Sequence, residues 1–273
     1  MERSLVAPAT AQDAIRVLTA LRTINPLVHC MTNIVVAGFT ANVLLAIGAS
    51  PAMVENAEES AEFAKIADAL LINLGTLSPD KVSAMRLAVH AAKIEGTPWV
   101  LDPVAVGALG YRTRFAASLL AEGPCVIRGN PSEILSLAGV ADSAGRGVDS
   151  TIDSRNAFEA ASGFARKEQT VVAMSGAVDY ITDGVSTVEV RTGHEMMTRV
   201  TGVGCALGAL VAACSAVEPS PLIAASAATT ILTVAAEVAV KESQGPGSFA
   251  VALLDSLYRL DESTLRNHLI AKL

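Results

Sequence analysis

Short apolar runs alternate with longer amphipathic segments along most of the chain. The short runs are rich in Val, Ile and Leu and are bounded by turn residues, so they predict buried strands. Between them apolar positions recur at helical spacing; Ala14, Val17, Leu18 and Leu21, for example, share one face of a helix predicted over residues 11–23. This alternation predicts an α/β fold with a mostly parallel central sheet covered by helices on both faces.

The same pattern sets the expected bounds of the elements. The predicted strands span residues 26–31, 52–54, 69–74, 97–101, 125–128 and 170–174. The predicted helices span residues 36–47, 58–67, 78–94 and 154–167, with another after Glu133 and a helical region from Cys205 onward. Residues 180–184 lead into 185–190 with Asp-Gly at the bend, which predicts an antiparallel hairpin.

Composition narrows the class of protein. The chain has 273 residues, enough for one large domain or two small ones, and we expect a single domain over residues 1–273. Of these residues 51% are hydrophobic and only 17% charged, which favours a well-buried chain and an oligomer that hides apolar surface. The formal net charge is −7 and no Lys/Arg run occurs, which argues against nucleic acid as a partner.

The cysteines and the N-terminus bear on the compartment. The four cysteines form no CxxC pair and no zinc-type cluster, and all except Cys205 are expected to be buried, reduced thiols. The first residues lack the apolar core of a secretory signal. The uncharged runs 200–217 and 219–236 are dominated by small residues, so we interpret them as packed helices of a soluble protein. A cytoplasmic protein that does not contact a membrane is expected.

Residues 201–205, Thr-Gly-Val-Gly-Cys, precede an Ala/Leu-rich run that predicts a helix. A helix that begins after a glycine turn presents free N–H groups and the positive end of its dipole, which suits phosphate. Cys205 would lie on the first turn, where a thiol can be shifted toward thiolate. The alternative is an ordinary turn with Cys205 as a small core residue. The spacing is neither a Rossmann fingerprint nor a P-loop.

Polar and glycine residues follow the predicted strands at one edge of the sheet. In parallel sheets ligands bind at the carboxyl ends of the strands. Each residue alone fits ordinary turn chemistry, but their common position predicts a binding site. The residues are Thr32, Asn33, Gly75, Thr76, Asp102, Asn130, Glu133, Ser175 and Gly176.

Asp102 and Glu133 are the two carboxylates of this set. One interpretation makes Asp102 a turn residue and Glu133 the partner of Asn130 in a helix capping box. The other makes them a Mg²⁺ site, directly or through water, since Mg²⁺ takes one or two carboxylates together with waters and substrate phosphates. Glu133 could serve both roles.

Two motifs resemble the ribokinase-like superfamily. Residues 130–133, Asn-Pro-Ser-Glu, are similar to its magnesium-associated N-x-x-E motif. Residues 201–205 are similar to its G-x-G-D anion hole, with Cys205 in place of the catalytic Asp. The chain resembles the hydroxyethylthiazole kinases from about Asn25 to the C-terminal helices. The resemblance rests on this replacement together with the segments PLVHCMTN, FTANVLLAIGASPAM, NLGTL, VLDPVAVGA and VIRGNPSEI.

The resemblance implies an ATP-dependent phosphorylation of the hydroxyl of 4-methyl-5-(2-hydroxyethyl)thiazole, a thiamine salvage step. It also implies Mg²⁺ and a homotrimer with active sites between subunits. One subunit would contribute Asn33 and Met53 to the thiazole pocket, and the other Gly75, Thr76, Gly202 and Cys205. The remaining implied residues are Arg128, Ser175 and Asn130 for ATP, Asp102 and Glu133 for Mg²⁺, and Gly204 with Gly202 and Cys205 for catalysis.

Cys205 implies a slow kinase, because a thiol with an ordinary pKa of about 8.5 is mostly protonated at neutral pH and is a poor replacement for an Asp base. We therefore expect Cys205→Asp to be tolerated or faster. The chain departs from the family pattern at Val203 and Ser175, where Thr is usual, and at Gly38, where Asn is usual. Gly38 has no evident role.

Three rival interpretations remain open. A related kinase acting on a hydroxymethylpyrimidine or another small primary alcohol would share the phosphate chemistry. A thiol hydrolase or transferase would use Cys205 as nucleophile, but it requires a paired base, and only His194 is near in sequence. A non-catalytic trimer that only binds nucleotide or thiazole would not require Asp102, Glu133 and Cys205 together.

Overall fold

A computed structural model describes residues 5–140 and 154–270. The remaining positions of the predicted 1–273 domain, residues 1–4, 141–153 and 271–273, lie outside the described residues. Nine strands form a single sheet in the order β1-β9-β8-β7-β6-β5-β4-β2-β3. In chain order they are β1 (Leu5–Pro8), β2 (Leu27–Met31), β3 (Ser50–Ala52), β4 (Ala69–Asn73), β5 (Trp99–Asp102), β6 (Val126–Gly129), β7 (Val171–Met174), β8 (Asp179–Thr182) and β9 (Ser186–Val190).

The strands pair in parallel except where β8 runs antiparallel to β7 and β9. This confirms the predicted mostly parallel sheet and the predicted hairpin. The helices are α1 (Ala11–Ile24), α2 (Ala37–Ile47), α3 (Ala57–Ile66), α4 (Pro79–Glu95), α5 (Gly110–Leu120), α6 (Pro131–Leu137), α7 (Ser154–Glu168), α8 (Val203–Val217), α9 (Pro221–Lys241), α10 (Pro246–Arg259) and α11 (Glu262–Ile270), with a 3-10 helix at Glu195–Arg199.

Side-chain caps explain where several helices begin. The Ser78 hydroxyl accepts a hydrogen bond from the Lys81 N–H (3.2 Å), and Pro79 follows at the first position, where a missing N–H costs nothing. Asn56 caps α3 in the same way through the Glu58 N–H (3.0 Å). These caps fix the residues at which α3 and α4 begin.

The core is divided between the two faces of the sheet. One buried cluster joins the inner faces of α1, α2, α8, α9 and α10 to one side of the strands, and the other joins α4, α5, α6 and α7 to the opposite side. Helices on both faces are therefore confirmed. In the described ranges, α9 alone is long and apolar enough to cross a membrane, but 78% of its most apolar window is buried. This burial favours the predicted role of a packed core helix.

Three local expectations differ from the structure. The strand predicted at 52–54 is wrong by two residues, because β3 begins at Ser50, which pairs with Leu27. The sequence interpretation omitted α5, whose N-cap position is Leu109 and carries no side-chain cap. It also omitted β1, which pairs with β9 about 180 residues further along the chain. A pairing between such distant segments leaves no local pattern in a four-residue strand.

Candidate active site

The carboxyl ends of β2, β4, β5, β6 and β7 meet at one edge of the sheet, because these strands are all parallel. Asn73 and Asp102 end neighbouring strands and are direct partners in the sheet register. Helix α8 packs across β2, β4 and β5 on one face. A Cβ added at Gly208 would lie 3.2 Å from the Asp102 Oδ2, so this glycine lets α8 pass close over Asp102.

The predicted glycine turn is present at the N-terminus of α8. Gly202 is the N-cap, with a φ of 95° that favours glycine, and a Cβ there would lie 2.9 Å from Val36 Cγ1. Cys205 is the third helical residue. A Cβ on Gly204 would lie 3.1 Å from the Arg128 Nη1, so the guanidinium lies against the turn. The first-turn N–H groups, the helix dipole and Arg128 together make this an anion site.

Four side chains form a hydrogen-bonded chain across this edge. The Asn33 Nδ2 donates to the Asn73 Oδ1 (3.0 Å) and to the Cys205 Sγ (3.5 Å). The Asn73 Nδ2 donates to the Asp102 Oδ2 (2.6 Å). The Asn73 Oδ1 also accepts the Gly75 N–H (3.0 Å). The chain links the anion turn to Asp102 through two carboxamides.

Asp102 is almost completely buried, with 1% of its surface exposed. Burial raises the pKa of its carboxyl to about 7; the nearby Glu133 also raises it, whereas Arg128 and the Asn73 hydrogen bond lower it. The Asp102 Oδ1 has no hydrogen-bond partner among the described residues. A buried carboxylate oxygen of this kind is ready to accept a proton, a donor or a cation.

The expected shift of Cys205 toward thiolate is wrong. Burial raises the pKa of the Cys205 thiol to about 11, and the Asp102 carboxylate adds to this shift, while Asn73, Arg128 and Asn33 oppose it. The helix N-terminus does not outweigh loss of solvation and a neighbouring negative charge. Cys205 therefore remains a neutral thiol at neutral pH.

Arg128 and Ser175, both implied as ATP contacts by the resemblance, lie together near the ends of β6 and β7. The Arg128 Nη2 donates to the Ser175 Oγ (2.8 Å). Asp179, which the sequence interpretation did not select, accepts the Gly176 N–H at 2.9 Å. Burial raises the pKa of Asp179 to about 6, and the nearby Arg128 opposes that rise. Asp179 thus ties down the turn after β7 and adds negative charge near Arg128.

Asn130 and Glu133 form the capping box that one interpretation predicted. The Asn130 Oδ1 accepts the Glu133 N–H (3.0 Å), and the Glu133 Oε2 accepts the Asn130 N–H (2.9 Å). The other oxygen, Oε1, accepts the Ala105 N–H (2.9 Å). Within the described residues no group of three or more His, Cys, Asp or Glu is arranged to hold a metal ion. A Mg²⁺ site here would rest on the two carboxylates alone.

The expected division of the pocket between subunits is wrong for Asn33. Its amide contacts Cys205 within one chain, and a Cβ on Gly75 would lie 2.6 Å from the Asn33 Cβ. The Thr76 Oγ1 accepts the Ile34 N–H at 3.2 Å, so this residue also belongs to the same chain's cluster. Met53 is half-buried and lies one residue beyond the carboxyl end of β3, the edge strand that pairs in parallel with β2.

Asn73 is the other residue that the sequence interpretation missed. The sequence pattern places Asn73 within a buried strand, although it is a polar residue at the end of that strand. The rule that selected Asp102 at the end of β5 would also have selected Asn73 at the end of β4.

A mostly parallel sheet whose carboxyl edge holds an anion turn, an arginine and two carboxylates fits a phosphotransferase of ribokinase-like fold. The model of the hydroxyethylthiazole kinase family matches residues 18–263. The chain belongs to this family, which confirms the resemblance found in the sequence.

Relatives agree over nearly the whole chain. A hydroxyethylthiazole kinase of Granulibacter bethesdensis is 53% identical over 97% of both chains. One from Clavibacter sepedonicus is 56% identical over 88% of this chain and 87% of that protein. The solved structure of a hydroxyethylthiazole kinase protein from Pyrococcus horikoshii has a TM-score of 0.87 and 42% identity, covering 93% of this chain and 96% of its own.

Proposed function

We propose that this protein transfers the γ-phosphoryl group of ATP to the hydroxyl of 4-methyl-5-(2-hydroxyethyl)thiazole, a step of thiamine salvage. The observation that carries the proposal is the contact of Asn33 with Cys205 at the N-terminus of α8, with Arg128 against the same turn. A pocket amide and an anion site therefore adjoin in one chain, as transfer of a phosphoryl group to a small alcohol requires. Membership of the family supports this substrate.

The chain's own residues supply positioning and charge. The N–H groups of Gly204 and Cys205 would hold the γ-phosphoryl oxygens, and Arg128 would offset their charge. Arg128, Ser175 and Asn130 are proposed as contacts for ATP. The thiazole alcohol would lie beside Asn33, Met53, Gly75, Thr76 and Gly202.

Asp102 and Glu133 fit a Mg²⁺ ion, because both offer the hard carboxylate oxygens that this ion prefers. The Asp102 Oδ1 is buried with no hydrogen-bond partner in residues 5–140 and 154–270, so it lacks a counter-group. Each Glu133 oxygen already accepts one backbone N–H and retains a second lone pair. When bound, Mg²⁺ neutralises charge on the phosphate oxygens.

A homotrimer with active sites at the subunit interfaces is part of the proposal. Ile34 is 78% exposed and Val35 64% exposed, although both directly follow the pocket residue Asn33. Apolar side chains exposed beside a polar site are suited to contact with a second subunit. We also propose that the protein is cytoplasmic and that its chain acts as one domain. The single sheet that contains both β1 and β9 supports the single domain.

ADP release from ATP tests the function directly. We expect release that depends on hydroxyethylthiazole and is abolished by EDTA. Arg128→Ala should lower kcat/KM at least about a hundredfold, since a contact to the transferred group is lost. Arg86→Ala, which removes an exposed arginine that lies over Phe115, is the matched control and should leave turnover unchanged. Release stimulated by a hydroxymethylpyrimidine and not by the thiazole would replace the proposed substrate.

A further inference from the structure

The Asn73 side chain makes three of the hydrogen bonds at the carboxyl edge of the sheet. This side chain is fully buried, with 0% of its surface exposed. Its Oδ1 accepts from the Gly75 N–H and from the Asn33 Nδ2, both at 3.0 Å, and its Nδ2 donates to the Asp102 Oδ2 at 2.6 Å. One carboxamide therefore contacts the loop after β4, the loop after β2 and the end of β5.

The Gly75 N–H fixes the orientation of every amide in this chain of hydrogen bonds. A backbone N–H can only donate, so the Asn73 atom that faces it must be the oxygen. The Asn73 Nδ2 then faces Asp102, which has the acceptor it requires. Asn33 must in turn offer its Nδ2 to the Asn73 Oδ1, since an oxygen in that place would oppose another oxygen.

This orientation determines what Asn33 presents to the pocket. The two N–H bonds of its Nδ2 are directed at the Asn73 Oδ1 and the Cys205 Sγ. The Asn33 Oδ1 is thus left as an acceptor beside the anion turn. Asn33 also packs tightly against Gly75, where a Cβ would lie 2.8 Å from both Asn33 Cγ and Nδ2, so the amide has little room to turn.

We propose that Asn73 is a positioning residue for the alcohol: it holds Asn33 so that the Asn33 Oδ1 accepts the hydrogen bond of the substrate hydroxyl. The inference rests on the proposed function, because the hydroxyl is that of the thiazole alcohol. Asn73 itself contacts no substrate. Its effect on binding passes through Asn33 and is confined to ligands that carry the hydroxyl.

A pair of ligands separates positioning from a merely structural role. We would measure the Kd of hydroxyethylthiazole and of 4-methyl-5-ethylthiazole, which lacks the hydroxyl, by equilibrium titration without ATP. We expect Asn73→Ala to weaken binding of the alcohol at least about tenfold and binding of the ethyl analogue less than about twofold. Equal weakening of both ligands, or no weakening of either, would overturn the proposal.

Asn33→Ala keeps the test decisive if Asn73→Ala fails to fold, because it must show the same selective loss of the alcohol. Where Asn73→Ala folds, adding it to Asn33→Ala must weaken binding of the alcohol by less than about twofold more. Ser60→Ala is the matched control. It removes a fully buried hydrogen bond to the Ala84 carbonyl (3.0 Å) between α3 and α4, and it should lower Tm without changing either Kd.

The result also distinguishes this inference from the proposed function. A wild-type protein that binds neither thiazole and releases no thiazole-dependent ADP would overturn both. A wild-type protein that phosphorylates the alcohol, combined with an Asn33→Ala variant that retains its preference for the alcohol over the ethyl analogue, would overturn the role of Asn73 and Asn33 alone.

Discussion

The sequence resemblance aligns Cys205 with the catalytic Asp of the ribokinase-like superfamily. Burial keeps the Cys205 thiol neutral. A neutral thiol does not supply the 10²–10⁴-fold that a general base typically contributes. We therefore expect Cys205→Ser to change kcat by less than about tenfold. Cys205→Asp should match or exceed the wild-type kcat, because a carboxyl has a much lower ordinary pKa and ionises more readily at neutral pH.

Steady-state kcat values across pH 6–9 would check this expectation about Cys205. Cys125→Ser is the control, since its half-buried thiol lies near the start of β6 and donates to the Trp99 carbonyl, away from the anion turn. A loss of more than about tenfold in Cys205→Asp would contradict a basic role at this position.

Asp179 offers a second test at the scale of single residues. Its pKa is raised by burial from 3.8 to about 6, so between these pH values the folded state holds a proton that the unfolded chain has released. The free energy of unfolding should therefore fall as pH rises from about 4 to about 6, and then level off. Asp179→Asn keeps an acceptor for the Gly176 N–H and removes this titration.

Urea denaturation at several pH values would measure the effect of Asp179→Asn. We expect the stability of the variant relative to wild type to rise by a few kcal/mol at most between pH 4 and about pH 6.5, and to stay constant above that. Parallel stability curves for the two proteins would show that Asp179 does not titrate as its burial requires.

At the scale of elements, the turn that begins α8 combines a left-handed backbone with a close contact. Gly202→Ala introduces both the strain of a φ of 95° and a Cβ 2.9 Å from Val36. Gly123→Ala is a matched control, because Gly123 has a φ of 73° and no atom lies within 4 Å of the added Cβ. We expect the control to lose about 1–2 kcal/mol from backbone strain alone.

Gly202→Ala should lose more stability than this control and, in addition, lower kcat at least about tenfold, because the displaced turn no longer directs its N–H groups at one point. Urea denaturation and steady-state kinetics on both variants would separate the two effects. Full turnover in Gly202→Ala would mean that the turn does not bind the transferred group.

Local signals explain which elements the sequence could predict. The Gly turn before α8, the capping box at Asn130 and the Asp-Gly bend are encoded within a few neighbouring residues, and each was predicted. The short edge strand β1 was not, since its pairing with β9 depends on residues about 180 positions away. The same limit applies to the site: the strand-end rule selected Asp102 and Asn33, but the contact of Asn33 with Cys205 depends on packing between distant segments.

At the scale of the whole molecule, the pKa of Cys205 could not be predicted from the sequence either. A helix N-terminus alone favours thiolate, whereas the folded chain places Asp102 and a low-dielectric core around the sulphur. Fold class, by contrast, follows from the alternation of strands and helices that runs through the entire chain. The chemistry of the site therefore depends on a few long-range contacts, whereas the fold class depends on many local sequence patterns.

The proposed trimer makes a quantitative prediction about mixed assemblies. Arg128 lies with Cys205 and Asn33 in one chain, whereas Met53 is proposed to reach the pocket from a neighbouring subunit. Met53→Glu and Arg128→Ala should each be inactive alone. In a trimer that contains both variants, one of the three sites combines the intact Arg128 of a Met53→Glu chain with the intact Met53 of an Arg128→Ala chain, so about a third of wild-type activity should return.

Co-expression of the two variants with different affinity tags, followed by purification through both tags, would provide the mixed trimers. Light scattering would give the mass of the assembly and confirm that both chains are present. A mixture of separately tagged wild-type and Arg128→Ala chains is the control, and its activity should follow the wild-type fraction. Mixed Met53→Glu and Arg128→Ala trimers without any recovery would place Met53 in the same chain's pocket, because complementation requires the two residues to meet across a subunit boundary.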